Sequence, residues 1–309
     1  MVFQRTALVV GVSNKRSLAW SSALALLKGE FDHVIVTYQN NRFKPSVEGM
    51  VALQNDVMKK EASARQGVPK LVTCLPCDVA NEAEIKSLLD EKIPSLLLNR
   101  DEDLSSSSVD STHSCRIKLD AMVHSVAFAP SQAMKSSSEF PLLNTTMDEY
   151  NVAHSISAYS LLSMSKYALP LLSCNDDTED LPGTASRRSP SITALTYLGS
   201  SRAVRNYNVM GPAKASLEAC VRGLAMEISP PPHNIRVNAI SAGPVNTLAA
   251  RGIRDFNELK HEAEERSFLK RSVTAEEVGS MVEFVAGSKA SGVTGQILFC
   301  DGGYNAYGG

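Results

Sequence analysis

The sequence lacks several features that would place it in a special class of protein. No segment offers the roughly 20 unbroken apolar residues that a helix needs to cross a bilayer, so a membrane protein is not expected. Long basic runs are missing and the formal net charge is -2, which argues against nucleic acid as a partner. Six cysteines in 309 residues are too few for a disulfide framework. Internal repeats are missing as well.

What the chain does contain is apolar sequence in short runs that alternate with helical patterns. Hydrophobic residues make up 43%, which is ample for a full core. The runs predict strands at Thr6–Gly11, His33–Tyr38, Lys70–Leu75, Leu119–Ser125, Ser191–Thr196, Ile235–Ile240 and Gln296–Phe299. The patterns predict helices at Ser17–Leu27, Ser46–Gln66, Glu82–Leu89, Thr146–Leu172, Pro212–Ile228 and Glu276–Ala286. Strict alternation indicates a parallel sheet covered on both faces, with ligands at the carboxyl ends of its strands.

Two polar segments interrupt this alternation. Residues 100–115 are acidic and then serine-rich, and residues 173–189 contain a Pro-Gly pair and two arginines. Neither segment has enough apolar surface to fold alone. We interpret both as surface insertions in a single domain that spans residues 1–309.

The most informative motif is Tyr207-Asn-Val-Met-Gly-Pro-Ala-Lys214. On a helix, seven steps return almost to the starting face, so the phenol of Tyr207 and the ammonium of Lys214 are predicted to meet one ligand. Such a pair donates a proton to an oxygen that gains negative charge. The alternative is an ordinary amphipathic helix with a buried tyrosine and a solvated lysine.

The first strand leads into a turn that suits a pyrophosphate. Gly11 allows a tight turn and Ser17 precedes the first helix, whose N-terminus presents free amides. The second and third glycines of the GxGxxG fingerprint are missing, so this signal alone is weak.

The ends of the second and third strands offer contacts for an adenosine. Gln39 can hydrogen-bond a ribose but brings no charge for a 2′-phosphate, which favours NADH. Arg42 and Lys44 lie close by in sequence, so NADPH stays an alternative, as does a merely polar strand end. Asp78 can receive the adenine amino group. Cys74-Leu-Pro-Cys77 does not predict zinc, because no second cysteine pair supplies the other ligands.

Two later segments complete the predicted site. His124 to Pro130 closes the fourth strand with small residues that let backbone approach a flat ring, and His124 itself is interpreted as structural. Gly243-Pro244 turns the chain after the sixth strand and leaves Val245 and Thr247 for a ligand. The following residues, 248–270, lack strong periodicity and are predicted to form a mobile lid.

In this order, the motifs closely resemble those of the FabI-type enoyl-acyl-carrier-protein reductases, divergent members of the short-chain dehydrogenase/reductase superfamily. The likeness rests on Gly11-x5-Ser17-x-Ala19, Thr37 to Asn40, Cys77-Asp-Val79, His124 to Pro130, Tyr197-Leu-Gly199, Tyr207 to Lys214 and Ser241 to Ala250. Ordinary superfamily members carry Tyr-x3-Lys, whereas here Met210 stands four residues before Lys214. The longer gap and the upstream Tyr197 mark the enoyl-reducing branch.

The resemblance implies a single-domain, doubly wound Rossmann fold and NADH-dependent reduction of the trans-2 double bond of enoyl-acyl-carrier-protein thioesters in type II fatty acid synthesis. Tyr207 would stabilise the enolate, with Lys214 on the nicotinamide ribose and Tyr197 beside them. The acyl pocket would be lined by Tyr197, Tyr207, Met210 and Phe256. The cofactor would contact Gly11, Ser17, Leu18, Gln39, Asp78, Val79, Ser125, Ala127, Lys214, Val245 and Thr247. No metal is implied.

The resemblance also implies partners and a compartment. Acyl carrier protein would bring the substrate, and four copies of the chain would assemble with D₂ symmetry. The first strand starts too near the N-terminus to leave room for a signal or transit peptide. We therefore expect that the protein works where it is made or that a targeting segment is missing from this sequence, which gives the cytoplasm for a bacterial source and the plastid stroma for a eukaryotic one. A 3-ketoacyl or other carbonyl reductase and a non-catalytic dinucleotide-binding protein are the alternative functions.

Overall fold

A computed structural model describes residues 5–65, 69–104, 118–135, 138–173 and 190–308. Most of the two predicted insertions therefore lies outside the described residues: the first from residue 105 onward and the second from residue 174 onward. In the part of the chain that is described, no helix is long and apolar enough to cross a membrane.

A seven-stranded parallel sheet forms the centre of the fold, in the order β3-β2-β1-β4-β5-β6-β7. The strands are β1 Thr6–Val10, β2 His33–Tyr38, β3 Leu71–Pro76, β4 Ala121–His124, β5 Ser191–Thr196, β6 Arg236–Ala242 and β7 Ile297–Cys300. All seven predicted strands are confirmed. The order reverses between β1 and β4, which opens the crevice where ligands of doubly wound sheets bind.

Helices cover both faces of this sheet. They are α1 Leu18–Lys28, α2 Lys44–Arg65, α3 Glu82–Ser87, α4 Ile93–Leu104, α5 Ser131–Met134, α6 Met147–His154, α7 Ser160–Leu172, α8 Met210–Ile228, α9 Phe256–Arg266 and α10 Ala275–Ala286. Alternate residues of β1 enter different cores, Leu8 and Val10 on one face and Ala7 and Val9 on the other. The Rossmann-type, doubly wound prediction is confirmed.

Three of the predicted helices differ from the structure. The helix predicted over Glu82–Leu89 passes through a π-helical turn at Leu88–Lys92 and continues as α4. The long helix predicted over Thr146–Leu172 is divided by a second π-helical turn, Ser155–Tyr159, although its capping box of Thr146 and Glu149 is present. The helix predicted to begin at Pro212 begins at Met210.

The long helix buries part of its apolar circumference within this chain, whereas Met147, Tyr150, Val152 and Tyr159 are exposed. Ala158, Leu161, Ala168 and Leu171 all pack in the core beside the sheet. An apolar circumference of this kind predicts either a deep core or a partner subunit, and the resemblance favours the partner. Core contacts account for these four side chains, and the partner contact stays a prediction. Periodicity alone does not distinguish a helix buried by its own sheet from one buried by another copy.

Candidate active site

A cavity of about 720 Å³ opens at the carboxyl ends of the central strands. Every residue predicted for the site contributes to its wall: Gly11, Ser17, Leu18, Gln39, Asp78, Val79, Ser125, Ala127, Tyr197, Tyr207, Met210, Lys214, Val245, Thr247 and Phe256. The structure thus brings together residues that are spread over most of the sequence. Loops between strands and helices converge at this edge because all the strands are parallel.

Tyr207 does not lie on a helix, and this corrects the reason given for its pairing with Lys214. Helix α8 begins only at Met210. Tyr207 sits in the preceding turn, where Asn206 and Asn208 have φ angles of 60° and 40°. Asparagine tolerates this left-handed region better than most residues. The turn, rather than a shared helical face, directs the phenol into the cavity that Lys214 also lines.

The ring of Tyr207 packs between a glycine and a second tyrosine. A Cβ at Gly199 would lie 2.3 Å from the Tyr207 ring, so a larger residue there would displace the phenol. The rings of Tyr197 and Tyr207 lie 4.9 Å apart between centroids. Burial raises the pKa of both phenols, so each keeps its proton at neutral pH and can donate it, or a hydrogen bond, to a ligand in the cavity.

Lys214 is almost completely buried, with 4% of its surface exposed. Its Nζ donates a hydrogen bond of 2.8 Å to the backbone carbonyl of Leu195. Burial lowers the pKa of the ammonium to about 8, and the carboxylate of Glu218 acts in the opposite direction. A buried cation on the wall of a cavity favours a polar or anionic ligand group beside it.

The turn after β1 brings two backbones unusually close. Gly11 has a φ angle of +101°, and a Cβ on it would lie 2.6 Å from the carbonyl oxygen of Ser125. Ser17 caps α1 by accepting a hydrogen bond from the Trp20 N–H. The N–H groups of Leu18 and Ala19, the first two of α1, are left for a ligand because no helix supplies carbonyls for its own first turn.

Gln39 and Asp78 form a further polar part of the cavity wall. The Gln39 amide donates to the Asp78 carboxylate over 3.1 Å. Arg42 lies over the ring of Phe43 and Lys44 pairs with Glu48, and neither cation is among the residues of the cavity wall. This arrangement presents hydrogen-bonding groups to a ribose, while the two nearby cations are exposed outside the cavity wall.

A serine that the sequence did not single out fixes the loop after β4. The Ser157 hydroxyl accepts from the Phe128 N–H and donates to the Phe128 carbonyl, each over 3.0 Å. Ser157 is buried in the π-helical turn, whose irregular spacing has no signal in the local sequence. His124 is fully buried, lies 2.7 Å from the Ser160 hydroxyl and has its pKa lowered to about 3 by burial, which agrees with a structural role.

The segment after β6 closes one side of the cavity. The Thr247 hydroxyl accepts from the Ala250 N–H and thereby supports a short 3₁₀ turn. Helix α9 follows and buries Phe256, Leu259 and Ala263 beneath a charged outer face. Residues 248–270 lack strong periodicity in sequence, so helix α9 is an element that sequence reasoning did not predict. Cavity-lining residues that it missed include Phe43, Phe128, Met134, Lys135, Ile253 and Leu259.

Taken as a whole, the wall matches the parts of a dinucleotide with a thioester beside it. Gln39 and Asp78 suit a ribose and a base, and the close turn at Gly11 suits a pyrophosphate. The buried Tyr197 hydroxyl has no hydrogen-bond partner among the described residues, so it is available to a ligand. Met210, Phe256 and Leu259 give the other end an apolar surface.

Comparison with known proteins agrees with this geometry. The family model described as "Enoyl-(Acyl carrier protein) reductase" matches residues 100–305. The NADH-dependent enoyl-acyl-carrier-protein reductase FabI of Enterococcus faecalis is 37% identical over 97% of this chain and 96% of its own.

Solved structures give the same result. The Bacillus cereus enoyl-acyl carrier protein reductase, crystallised with NADP+ and indole naphthyridinone, superposes with a TM-score of 0.74 at 34% identity and covers 99% of each chain. The Anaplasma phagocytophilum reductase in complex with NAD has a TM-score of 0.72 at 27% identity and covers 100% of this chain and 95% of its own. The chain belongs to the FabI-type enoyl-acyl-carrier-protein reductase family.

Proposed function

We propose that this chain reduces the trans-2 double bond of enoyl thioesters carried by acyl carrier protein, with NADH as the reductant. The single observation that supports this most is the wall around Tyr207. The buried Tyr207, the half-buried Tyr197 with its buried hydroxyl, and the buried Lys214 ammonium share one cavity, between a polar end that fits a dinucleotide and an apolar end that fits an acyl chain.

The protein's own groups would act on the thioester carbonyl. When bound, NADH supplies the hydride that adds to the β-carbon of the substrate. The Tyr207 hydroxyl donates a hydrogen bond to the carbonyl oxygen, which gains negative charge as the enolate forms. Lys214 would hold the nicotinamide ribose and add positive charge near that oxygen. The Tyr197 hydroxyl, which has no hydrogen-bond partner among the described residues, would be available to the same ligand. The enolate is then protonated at its α-carbon.

The cofactor would follow the polar wall from one end to the other. Gln39 would bind the adenosine ribose, with Asp78 and Val79 at the adenine. Gly11, Ser17 and Leu18 would receive the pyrophosphate at the N-terminus of α1. Ser125 and Ala127 would pack beside the nicotinamide, and Val245 and Thr247 would fix its carboxamide and a phosphate.

Carrier-protein docking is supported by charge around the cavity. Arg202 and Arg205 are exposed on the loop that precedes Tyr207, Arg251 is exposed within the segment 248–270, and Lys135 lines the cavity. An enoyl group reaches such a site on a phosphopantetheine arm, whose phosphodiester is negatively charged. Basic residues near the entrance attract that phosphate and an acidic carrier surface.

The alternative reaction, reduction of a ketone, is disfavoured because Met210 occupies the position where Tyr-x3-Lys enzymes carry their tyrosine. We expect the purified protein to oxidise NADH rapidly with crotonyl thioester and slowly with acetoacetyl thioester. NADPH should support a lower kcat/KM than NADH, since the Gln39 end offers no cation from the cavity wall. Steady-state assays of both substrates with both cofactors test this, and faster ketone reduction would move the chain to the carbonyl-reductase branch.

Residues 248–270 would act as the lid of a single Rossmann-type domain. Leu248, Ile253, Phe256 and Leu259 all face the cavity, so an acyl chain would add apolar surface for them to cover. We expect amide hydrogen exchange in this segment to slow by about tenfold or more when cofactor and a substrate analogue bind. Helix α10 serves as the internal control, because its exchange should not change. Slow exchange in the lid before ligand is added would contradict the idea.

We further expect a homotetramer of D₂ symmetry. Support comes from apolar side chains exposed on neighbouring elements, with Met226 on α8, Phe284 on α10 and Phe299 on β7. Strand β7 lies at the edge of the sheet, where a second copy can pack. Light scattering at micromolar concentration should give about four times the chain mass. A chain that is monomeric under these conditions would contradict the predicted tetramer. The compartment also stays a prediction.

A further inference from the structure

Helix α8 buries a second charged side chain one turn after Lys214. Glu218 has 8% of its surface exposed and lies four residues further along the same helix. Residues four apart on a helix lie on the same side, roughly 5–6 Å apart at their Cβ atoms. Lys214 has a role in the proposed reaction, but Glu218 has none, although burying a carboxylate costs free energy.

The end of strand β5 links both charges to the proposed reaction centre. The carbonyl of Leu195 accepts from the Lys214 ammonium over 2.8 Å. The hydroxyl of the next residue, Thr196, donates to the Glu218 Oε1 over 2.7 Å. The residue after that, Tyr197, packs its ring against Tyr207. Three consecutive residues of one strand end, 195 to 197, therefore contact a buried cation, a buried anion and the Tyr207 ring.

Other groups near Lys214 do not supply a negative charge. His124, which feels the Lys214 charge from β4, is neutral because burial holds its pKa at about 3. Tyr207 and Tyr197 are neutral phenols whose pKa values burial raises. Glu218 is the carboxylate that opposes the burial effect on the Lys214 pKa, and its charge also raises the pKa of Tyr207.

We propose that Glu218 is a positioning residue that keeps Lys214 charged and directed at the nicotinamide ribose. It acts through Lys214 and does not touch the substrate, and the inference rests on the proposed role of Lys214. In the absence of Glu218, the buried lysine would bind the ribose only under more acidic conditions.

The direction of the pH effect follows from the sign of the charges. Burial already lowers the Lys214 pKa to about 8, so the ammonium loses its proton in the mildly alkaline range. A neighbouring anion favours the protonated form, so removing it lowers this pKa further. As the pH is raised, a variant that lacks the Glu218 charge should therefore lose NADH affinity earlier, at a lower pH than the protein that keeps it.

The test measures the NADH dissociation constant by fluorescence titration between about pH 6 and pH 9.5, a range that brackets the lysine transition. All proteins carry Tyr207→Phe, which removes the phenol whose own titration responds to Glu218. Glu218→Gln keeps an oxygen for the Thr196 hydroxyl but removes the charge. We expect the alkaline loss of NADH affinity to begin about one pH unit lower.

Matched variants separate charge from structure. Glu227→Gln makes the same change at an exposed position of the same helix and should leave the pH profile unchanged. Glu218→Asp keeps the charge and should retain most of the profile. If Glu218→Gln does not fold, the double variant Thr196→Val/Glu218→Leu replaces both hydrogen-bond partners by apolar groups and should give the same shift, because the charge is again removed.

Two results would overturn the inference. One is a Glu218→Gln profile with an unchanged midpoint, whether or not NADH binds more weakly at every pH. The other is an equal shift in Glu227→Gln. Lys214→Ala identifies which proposal has failed. If Lys214→Ala binds NADH normally, the proposed role of Lys214 itself is wrong. If Lys214→Ala abolishes the pH dependence and Glu218→Gln leaves its midpoint in place, only the proposed role of Glu218 is wrong.

Discussion

Tyr207→Phe should slow the reduction of crotonyl thioester by roughly 10²-fold while the affinity for NADH stays unchanged, since one donor to the developing enolate is removed. The ring itself is retained, so its packing between Gly199 and Tyr197 is preserved. Loss of the hydroxyl therefore affects the transition state more than the fold. This is the effect expected of an oxyanion donor and not of a cofactor ligand.

The measurement is single-turnover oxidation of NADH, with NADH affinity determined separately by fluorescence. Tyr197→Phe is the matched control, because that phenol is half-buried in the same wall and its hydroxyl is buried. A decrease well below tenfold in Tyr207→Phe, together with a large one in Tyr197→Phe, would assign the donor to Tyr197 instead. If the two hydroxyls replace one another, only the double variant will lose the full amount.

Gly199→Ala tests the same assignment without touching the tyrosine. The added methyl group would lie 2.3 Å from the Tyr207 ring, which must then turn away from the cavity. Turnover should fall with little change in NADH binding, as in Tyr207→Phe. Gly223→Ala on α8, where nothing lies within 4 Å of the new methyl group, provides the control.

The sheet was predictable from the sequence because each of its strands is a short apolar run between polar turns. His33–Tyr38 and Ser191–Thr196 were predicted at their observed bounds. A fully buried parallel strand has no polar face to obscure this signal. Site residues at strand ends, such as Asp78 and Val245, follow from the same topology once family motifs identify them.

What the sequence did not reveal depends on local backbone geometry. The turn that carries Tyr207 relies on left-handed conformations at Asn206 and Asn208, and no periodicity reports them. The π-helical turn that holds Ser157 against Phe128 depends on tertiary hydrogen bonds. Helix α9 has a buried stripe of only three apolar side chains in a strongly charged segment, which is too weak a pattern to detect.

The second large effect is expected at Gly11, where Gly11→Ala should weaken NADH binding by at least roughly tenfold, equivalent to about 1.4 kcal/mol. The φ angle of +101° is strained for alanine, and the new Cβ would meet the Ser125 carbonyl oxygen at 2.6 Å. Since that oxygen belongs to the backbone of a strand end, it cannot swing aside as a flexible side chain would. The turn after β1 must move, and with it the proposed pyrophosphate cradle at α1.

Gly49→Ala supplies the contrast, because it adds the same methyl group to an exposed helical glycine with nothing within 4 Å. That substitution should stabilise the fold by roughly 0.5–1 kcal/mol, as alanine does in helices, and should leave NADH binding alone. Calorimetric titration with NADH and thermal unfolding of both variants separate the two effects. Normal NADH affinity in folded Gly11→Ala would show that the cofactor does not need this close approach of two backbones, and the pyrophosphate would then have to bind elsewhere on the wall.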